Sequence, residues 1–405
     1  MVSEPTEVNT AGPVMSKPTV LLGMSGGVDS SVAALLLTEQ GYDVQGVTLQ
    51  VWEPEDADAA VTKKWEERGC CKVGLARHVA RRLGIPHEVV DTRETFRKNV
   101  VDDFIDGYLG GTTPNPCVRC NERVKFGMLY QLAKTRGIDF VASGHYARVL
   151  PVDEGVGLFR GADSKKEQSY FLYRLPAAWL PHILFPVGHL QKTEVWARAE
   201  ELDLPADEMK ESQEICFVTQ GDYRTFLAAE APQALRPGPF LDPEGRTIGE
   251  HRGIAFYTPG QRKGLGIARG ERLYVKEVNP ETNAVVLGRA EDLSRQTCTV
   301  QDVNWLAGAM PETLDHVAIK YRYASPAVSG RVRQHTTGTL SIEFQESQQA
   351  LSPGQSLVLY QGDRVLGGGI IQPFERHGIS PVGSGGNDVA GIAAGTGLLR
   401  DGSEV

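Results

Sequence analysis

The sequence predicts an α/β fold: a doubly wound parallel sheet, followed by a small central β-rich domain and a C-terminal antiparallel β-barrel. Three observations lead to this prediction. Between residues 18 and 143, short apolar runs alternate with helical stretches, as they do in parallel sheets. A glycine-rich turn directly follows the first apolar run. From Thr297 to Pro373, short alternating segments are separated by turn residues, which is typical of a small antiparallel barrel.

The elements of the first region are bounded by recognisable signals. Gly41 and Gly84 each follow a helical stretch at the position where a helix commonly ends in a left-handed residue. The predicted strands are Thr19 to Leu22, Val44 to Val51, His87 to Asp91 and Asp139 to Ser143. The predicted helices are Ser30 to Gln40 and Val73 to Leu83. In such a sheet, ligands bind at the carboxyl ends of the strands.

Changes of composition divide the chain into five parts. Residues 1–17 form a polar leader that we expect to be disordered, and the Gly-rich residues 377–405 form a disordered tail. Between them we expect a nucleotide-binding catalytic domain at 18–220, a central β-rich domain at 221–292 and a barrel at 293–376. The proline-rich stretch from Pro232 to Pro243 is interpreted as a linker or irregular element.

The composition is that of an ordinary globular protein, with 405 residues, 41% of them hydrophobic and 23% charged. No apolar run has the length needed to cross a bilayer, and the first residues lack a signal-peptide core, so a cytoplasmic location with no membrane partner is expected. The thiols of its six cysteines would then stay reduced. The net charge of -9 argues against a broadly basic surface but leaves room for a local nucleic-acid-binding patch.

The segment GMSGGVDSS, from Gly23 to Ser31, is a candidate phosphate-binding loop. It lies between a buried strand and a helix, where backbone N–H groups and the helix dipole favour an anion. Gly26 and Gly27 let the backbone approach phosphate oxygens, and Asp29 could cap the helix or hold Mg²⁺. The loop lacks the lysine of a Walker A motif. The alternative is a glycine turn that only starts a helix.

The loop S-G-G-x-D-S resembles the pyrophosphate loop (PP-loop) of the ATP pyrophosphatases, whose fold is adenine nucleotide α-hydrolase-like. Several families share that loop, and further segments distinguish them. These segments are TPNPCVRCNERVKFG (Thr113 to Gly127), ASGHYAR (Ala142 to Arg148), KKEQSYFLYRL (Lys165 to Leu175), ESQEICF (Glu211 to Phe217), YTPGQRKGLG (Tyr257 to Gly266) and VLGGGII (Val365 to Ile371). Together they resemble the bacterial tRNA-specific 2-thiouridylase family from about residue 19 to about residue 373.

The resemblance implies ATP-dependent transfer of sulfur to C2 of the wobble uridine of tRNA, with release of pyrophosphate and AMP. It implies Cys216 as the persulfide carrier and Cys120 as the second catalytic thiol. The sulfur would come from a persulfide-donating relay protein or a cysteine desulfurase. The chemistry is reasonable for these residues, because the C2 carbonyl of uracil is a poor electrophile that adenylation activates. A persulfide is then a strong nucleophile, and a second thiol can cleave its S–S bond.

The same resemblance implies the binding residues. ATP would contact Gly23, Met24, Ser25, Gly26, Gly27, Val28, Asp29, Ser30, Leu49 and Gly144. The tRNA would contact Asn115, Pro116, Cys117, His145, Lys166, Glu167, Gln168, Arg322, Tyr323 and Gln355. From the residues alone, Leu49 could equally be a core leucine and Lys166 to Gln168 a solvated surface. A basic concentration, either a phosphate-binding face or a solvated helix, comprises Lys63, Lys64, Arg68, Lys72, Arg77, Arg81 and Arg82.

Cys117 stands where many members of that family carry aspartate, which leaves the acid–base role open and makes a Cys117–Cys120 disulfide possible. An iron–sulfur cluster on Cys117, Cys120 and Cys216 is an alternative route for sulfur. A structural zinc would need a second C-x-x-C pair, which the sequence lacks. Cys216 could also be a buried small hydrophobe, and Cys70, Cys71 and Cys298 are expected to be structural.

Two other functions are compatible with parts of the sequence. A different ATP pyrophosphatase that forms an amide or amidine would use the loop but would need no cysteine pair. An RNA-binding module with a vestigial nucleotide loop would bind tRNA without consuming ATP, although the intact S-G-G-x-D-S segment argues against it.

Overall fold

The computed structural model describes residues 17–52, 72–204, 215–218, 222–267, 272–336 and 338–374. The predictions of a disordered leader and tail therefore lie outside the described residues, apart from Lys17. The same holds for the expectations about Cys70, Cys71, Lys63, Lys64 and Arg68. Among the helices of the described ranges, none is long and apolar enough to cross a membrane.

The first sheet is parallel, as predicted, and has five strands in the order β3-β2-β1-β4-β7. Its strands are β1 (Thr19–Gly23), β2 (Asp43–Gln50), β3 (His87–Asp91), β4 (Phe140–Ser143) and β7 (Ile183–Leu184). The chain moves from β1 through β2 to β3 on one side and then crosses to β4 on the other side. This reversal creates a crevice at the carboxyl ends of β1 and β4, where such folds bind ligands.

The α-helices of the described residues lie mainly around this sheet. They are α1 (Val28–Glu39), α2 (Val73–Leu83), α3 (Arg93–Phe96), α4 (Asp102–Leu109), α5 (Pro116–Arg119), α6 (Phe126–Arg136), α7 (Lys192–Glu200) and α8 (Tyr223–Glu230). Two π-helical stretches occupy Arg97–Val101 and Cys120–Lys125. The predicted helix Val73 to Leu83 is confirmed, and Gly84 ends it in the left-handed conformation (φ 67°). The first helix begins at Val28, two residues before the predicted start.

The central domain contains a four-stranded sheet in the order β10-β11-β8-β9. Its strands are β8 (Gly238–Leu241), β9 (Thr247–His251), β10 (Tyr274–Asn279) and β11 (Ala284–Gly288). The interpretation of Pro232 to Pro243 as a linker is therefore wrong in part. Phe240 and Leu241 are fully buried, and β8 pairs with both β9 and β11 despite the flanking prolines.

The C-terminal barrel is antiparallel, as predicted. Its strands are β12 (Ser294–Trp305), β13 (Thr313–Lys320), β14 (Val328–Thr336), β15 (Thr339–Gln349), β16 (Ser356–Gln361) and β17 (Arg364–Ile371). Pairing of β12 with both β15 and β17 closes the sheet. The hairpin of β5 (Ala147–Val152) and β6 (Gly155–Arg160) extends it through Arg364 and Phe159. A segment that the sequence assigned to the nucleotide-binding domain therefore continues the barrel sheet.

Buried tyrosines join the first domain to the barrel. Tyr170 and Tyr173 come from the segment after β6, and both are fully buried. The Tyr170 hydroxyl donates to the Ser356 carbonyl at 2.8 Å, and the Tyr173 hydroxyl lies 3.2 Å from Ser356 Oγ. Because a buried tyrosine contributes a large apolar area and a satisfied hydroxyl, these contacts fix both the spacing and the orientation of the two domains.

A turn of the barrel also binds the chain between α4 and α5. The Thr113 N–H donates to the Pro353 carbonyl at 2.7 Å, and Gln355 Nε2 donates to the Thr113 carbonyl at 2.9 Å. Between them Gly354 has φ +88°, and a Cβ there would lie 2.8 Å from Thr113 N. The barrel therefore holds this segment of the first domain through a close backbone approach that requires glycine.

We expect Gly354→Ala to loosen this contact specifically. Gly362→Ala is a matched control, because Gly362 also has positive φ (+57°) but no atom within 4 Å of its added Cβ. Both variants should lose about 1 kcal/mol of unfolding free energy from the left-handed backbone. Gly354→Ala should lose more and should speed amide hydrogen exchange in peptides spanning residues 112–119. Equal exchange in the two variants would contradict a role for the contact.

Candidate active site

The predicted phosphate-binding loop lies at the crevice between β1 and β4. Gly26 has φ +75°, and a Cβ there would lie 2.1 Å from the Lys72 carbonyl oxygen. The Lys72 N–H donates to the Ser25 carbonyl at 2.7 Å. Gly26 therefore adopts a conformation that favours glycine and packs against the start of α2. Gly27 precedes α1, and the first N–H groups of this helix have no carbonyl of the same helix to which they could donate.

The serine hydroxyls of the loop form hydrogen bonds within the loop. Ser30 Oγ and Ser31 Oγ donate to the Gly27 carbonyl at 3.0 and 2.9 Å. The Ser25 N–H donates to Ser30 Oγ at 3.3 Å. Both Ser30 and Ser31 are buried. These bonds hold the loop in one shape before any ligand binds.

Gly144 has a role in packing the loop. A Cβ on Gly144 would lie 2.6 Å from both Asp29 C and Ser30 N. The space next to Gly144, which is a predicted ATP contact, is therefore filled by the backbone of α1. Gly23 is also close-packed, since its Cβ would lie 2.9 Å from Leu129.

The other predicted ATP contacts are mostly buried side chains. Met24 is 1% exposed, and its carbonyl accepts a hydrogen bond from Thr48 Oγ1 at 2.7 Å. Val28 and Leu49 are buried as well. A ligand in the crevice would therefore meet these residues through the backbone. Their contact with ATP stays a prediction.

Asp29 does not cap α1. The N-cap is Gly27, and no side chain caps it, because Asp29 lies within the first turn. Asp29 Oδ1 accepts hydrogen bonds from Tyr146 Oη at 2.7 Å and Lys192 Nζ at 2.6 Å. Gln168 Oε1 in turn accepts from the Tyr146 N–H at 2.9 Å. Lys192 and Tyr146 reach the loop from α7 and from the segment after β4, and no motif of the sequence predicts either contact.

The segment that carries Cys117 and Cys120 is helical, although its prolines suggest a loop. Asn115 caps α5 by accepting the Val118 N–H at 3.3 Å, and Pro116 occupies the first helical turn. Both are recognised signals for the start of a helix. The π-helix Cys120–Lys125 then leads directly into α6.

Cys117 and Cys120 form no disulfide in the structure, and both thiols are mainly protonated at neutral pH. Cys120 is 6% exposed, and burial raises the pKa of its thiol to about 12. Cys117 reaches solvent, but the surrounding protein still raises the pKa of its thiol. Half-buried Cys216 lies near enough to raise both pKa values further, while the charge of Lys125 opposes the rise. No Cys117–Cys120 disulfide is present.

His145 is neutral at physiological pH. Burial, with a smaller contribution from Lys125, lowers its pKa to about 3. Its Nδ1 lies 2.8 Å from Ser143 Oγ, and its ring packs near Phe126 and Phe185. Lys125 therefore acts electrostatically on Cys117, Cys120 and His145 alike, which places these side chains in one neighbourhood.

An ion-pair network anchors the π-helix to the barrel. Glu122 accepts Arg174 Nε at 2.8 Å and Arg119 at 3.2 Å. Both arginines also pair with Asp302 of β12, which has positive φ (52°) beside a register shift in that strand. Arg174 is only 9% exposed. The sequence offered no sign of this network, since its members are far apart along the chain.

The residues predicted to contact tRNA fall into separate groups. Glu167 is 5% exposed and accepts the Ser169 N–H, with Lys320 4.0 Å away, so its carboxylate faces the barrel rather than solvent. Gln168 supports Tyr146, and Lys166 remains partly exposed. The prediction of tRNA contact does not suit the Glu167 carboxylate in this conformation, because the barrel covers it.

The barrel residues predicted to contact tRNA differ in accessibility. Tyr323 is 37% exposed, and its ring centroid lies 4.4 Å from that of Phe171. Arg322 donates to the Ala350 carbonyl, and Gln355 donates to Thr113. Of the predicted basic face, Arg77, Arg81 and Arg82 are exposed, and Arg82 pairs with Asp203 at 2.6 Å. All of these tRNA contacts stay predictions.

Family models cover the chain in three consecutive parts. The tRNA methyl transferase HUP domain matches residues 18–220, the tRNA methyl transferase PRC-barrel domain matches 224–289, and the aminomethyltransferase beta-barrel domain matches 295–371. The parallel sheet with its S-G-G-x-D-S loop thus belongs to the PP-loop class of ATP pyrophosphatases.

Curated relatives identify the family within that class. The tRNA-specific 2-thiouridylase MnmA of Clostridium perfringens is 42% identical over 88% of this chain and 99% of its own. The MnmA of Moorella thermoacetica is 46% identical over 87% of this chain and 99% of its own. The chain belongs to the tRNA-specific 2-thiouridylase (MnmA) family of enzymes, which confirms the resemblance seen in its motifs. A solved 4-thiouridine synthetase–RNA complex with bound ATP is similar at 15% identity over 53% of this chain and 51% of its own, with a TM-score of 0.33.

The charge of Lys125 should tune the reactivity of Cys117 and Cys120. The Lys125 charge opposes the rise in the pKa values of both thiols. Lys125→Gln should therefore lower the thiolate fraction and slow iodoacetamide alkylation of both thiols several-fold at pH 8. Alkylation of Cys120 should rise about tenfold per pH unit from pH 7 to 9 without a plateau, since its pKa is about 12. Peptide mass spectrometry measures both.

Cys298 in β12 is an internal reference for this experiment. Burial likewise raises the pKa of its thiol to about 12. Its alkylation should be the same in the wild-type chain and in Lys125→Gln. Parallel slowing of Cys298 would mean that the substitution had altered the whole fold, and unchanged rates at Cys117 and Cys120 would contradict the role of Lys125.

Proposed function

We propose that this chain uses ATP to replace the C2 oxygen of the wobble uridine of tRNA with sulfur. The main support for the proposal is that three cysteines lie close to a lysine and a histidine in a member of this enzyme family. These residues are Cys117, Cys120, Cys216, Lys125 and His145. His145 directly follows Gly144, which packs against the phosphate loop. The activating site and the sulfur site are therefore joined by two adjacent residues.

The first step activates the uracil. Its C2 oxygen attacks the α-phosphorus of ATP, the bond to the β-phosphate oxygen breaks, and pyrophosphate leaves at the Gly26–Gly27 loop. The α1 N-terminus favours this anion. Asp29 suits Mg²⁺, because one carboxylate plus phosphate oxygens is a common ligand set for that ion. Mg²⁺ entering with ATP would neutralise phosphate charge.

The second step transfers sulfur. The terminal persulfide sulfur on Cys216 attacks C2, and AMP leaves with the former C2 oxygen. The Cys120 thiolate then attacks Cys216 Sγ, which breaks the bond to the transferred sulfur and leaves 2-thiouridine with a Cys120–Cys216 disulfide. A thiol reductant restores both cysteines. The half-buried Cys216 suits loading by a persulfide-donating relay protein or cysteine desulfurase. The buried Cys120 is shielded from solvent before it attacks Cys216.

The positions of the thiols bear on the alternative of an iron–sulfur cluster. Over the described ranges, no group of three or more His, Cys, Asp or Glu side chains is arranged to hold a metal. Cys117, Cys120 and Cys216 therefore do not fit a cluster in this conformation. The persulfide route needs only that Cys120 can reach Cys216.

The tRNA is proposed to lie across the first domain and the barrel. Asn115, Pro116 and Cys117 would frame the uridine, which must leave its base stack to react. His145, being neutral, would meet the base as a hydrogen-bonding group without charge. Tyr323 offers a stacking surface, and Arg322, Lys166 and Gln355 complete the predicted contacts; Gln168 would act through Tyr146.

The cysteines test the proposal most directly. The assay supplies ATP, Mg²⁺, a persulfide donor and unmodified tRNA, and measures 2-thiouridine by nucleoside mass spectrometry. Cys120→Ser and Cys216→Ser should each abolish the product, whereas Cys298→Ser, altered at a buried barrel residue, should retain it. Full turnover by both active-site variants would favour a different ATP pyrophosphatase.

Cys117→Ser separates the two sulfur routes. On the persulfide route this variant keeps most of its activity, because the transferred sulfur is never bound to Cys117. Loss of activity together with loss of iron and sulfide from anaerobically purified protein would instead favour the cluster. The proposed function would be overturned if the wild-type chain made no 2-thiouridine with any sulfur donor, whether it was purified aerobically or anaerobically. Binding of tRNA without ATP turnover would favour an RNA-binding module.

A further inference from the structure

Cys216 lies in a short turn, residues 215–218, whose two central side chains have opposite surroundings. The Val218 N–H donates to the Ile215 carbonyl at 3.0 Å, so Cys216 and Phe217 occupy the central positions of the turn. Cys216 is half-buried, whereas Phe217 is 1% exposed. The turn therefore leaves the thiol accessible and buries the ring of the next residue.

Phe217 packs within an aromatic cluster formed by Trp52, Phe96, Phe104 and Phe226. Its ring centroid lies 5.1 Å from that of Phe226, 5.3 Å from Phe104, 5.8 Å from Phe96 and 6.2 Å from Trp52. The ring planes of Phe217 and Phe104 meet at 85°, and those of Phe217 and Phe96 meet at 73°, so both pairs are edge-to-face. Rings favour this arrangement over a face-to-face stack, and each pair adds stability beyond the apolar area that it buries. The aromatic cluster therefore holds the Phe217 ring in a defined orientation.

The aromatic cluster brings together three parts of the chain. Trp52 follows β2 at the carboxyl edge of the parallel sheet, Phe96 and Phe104 belong to α3 and α4, and Phe226 belongs to α8. Phe96 and Phe104 are almost completely buried. Since these rings belong to separate elements of the folded chain, together they define one place for Phe217.

The buried ring holds the turn beside the second thiol. Phe217 and Cys120 belong to the same buried core, and Cys216 packs against it. Cys216 also lies near enough to Cys120 to raise the pKa of the Cys120 thiol. On the sulfur-transfer route, Cys216 is in turn a thiol, a persulfide and a disulfide, so its sulfur has a different bonding partner at each stage. A side chain that changes in this way cannot fix its own backbone, but the neighbouring ring can.

We propose that Phe217 is a positioning residue for Cys216: its ring, held in the aromatic cluster, fixes the turn so that Cys216 Sγ stays within reach of Cys120 at each stage. Phe217 acts through the backbone of the turn and not on the substrate. This inference rests on the sulfur-transfer step of the proposed function and adds a residue that supplies geometry to that step. Reactions between two groups depend strongly on such fixed geometry.

The test measures how closely the two thiols are held together. Oxidised glutathione takes up the two electrons and two protons of Cys120 and Cys216, which form a disulfide, and is reduced to two molecules of glutathione. The equilibrium constant is an effective concentration of one thiol at the other. It is measured on the full chain in a Cys117→Ser background, without ATP or tRNA, by mass spectrometry of the linked peptides. Phe217→Leu should lower it about tenfold, and Phe217→Ala at least as much, because lost ring contacts release the turn.

Phe344→Leu is the matched control. Phe344 is fully buried in the barrel core, and its ring is edge-to-face with that of Tyr321 at 5.9 Å. This variant should also lose unfolding free energy, which thermal unfolding of each variant measures. Its effective concentration should change less than about twofold, because changes at separate sites are nearly independent. An equal fall in Phe217→Leu and Phe344→Leu would overturn the inference, since any truncation in a core would then have the same effect.

The outcomes distinguish this inference from the proposed function. A wild-type chain that forms the Cys120–Cys216 disulfide, with an unchanged effective concentration in Phe217→Leu, overturns the role of Phe217 alone. A wild-type chain that forms no such disulfide at any glutathione ratio overturns the proposed sulfur-transfer step and the inference together. In the 2-thiouridine assay, Phe217→Leu should lower the maximal rate and leave the KM for tRNA within about twofold of the wild-type value. A raised KM with an unchanged maximal rate would overturn the inference, because it would indicate a role in tRNA binding.

Discussion

The main constraint on this protein is that the cysteine-bearing segment, residues 112–125, is held from outside its own domain. The barrel binds Thr113 through both its N–H and its carbonyl, and it binds the π-helix through Asp302 and the arginines that share Glu122. A short helical segment with a π-helix inside it has little stability alone. The position of the thiols therefore depends on the docking of the barrel, and so does the geometry of the chemistry assigned to them.

The electrostatics of the thiol site oppose early reaction. Burial favours the protonated thiol, and Lys125 alone is not enough to reverse this preference, since the pKa of Cys120 remains about 12. The same surroundings keep His145 neutral. A protonated thiol is a weak nucleophile, so Cys120 should react only slowly with disulfides and electrophiles at neutral pH. The phosphate loop contrasts with this site, because its hydroxyls, glycines and Asp29 are already arranged by hydrogen bonds.

Local signals were enough for the sheet and for the choice of family. The helix Val73–Leu83 and the strand His87–Asp91 have the predicted bounds, because a left-handed glycine and a short apolar run define them without help from distant residues. The start of α5 has a local signal as well, since Asn115 and Pro116 favour the start of a helix, but Pro114 and Pro116 are equally compatible with a loop. Contacts between distant parts of the chain could not be predicted. Lys192 on Asp29, Gln355 on Thr113 and the burial of Glu167 under the barrel each depend on how separate elements pack.

The π-helix also bears on how this segment tolerates insertions and deletions. An N–H that bonds to the fifth preceding carbonyl, as Phe126 does to Asn121, gives a turn with one more residue than an α-helical turn. Deleting one residue between Cys120 and Lys125 would let the chain form an uninterrupted α-helix from Pro116 into α6. It would also rotate Cys120 by about 100° relative to α6 and carry it away from the face that Lys125 shares. The length of this segment is therefore constrained as strictly as the identity of its cysteines. Natural or engineered variants with a changed length should lose the arrangement of the site while they keep a well-formed helix.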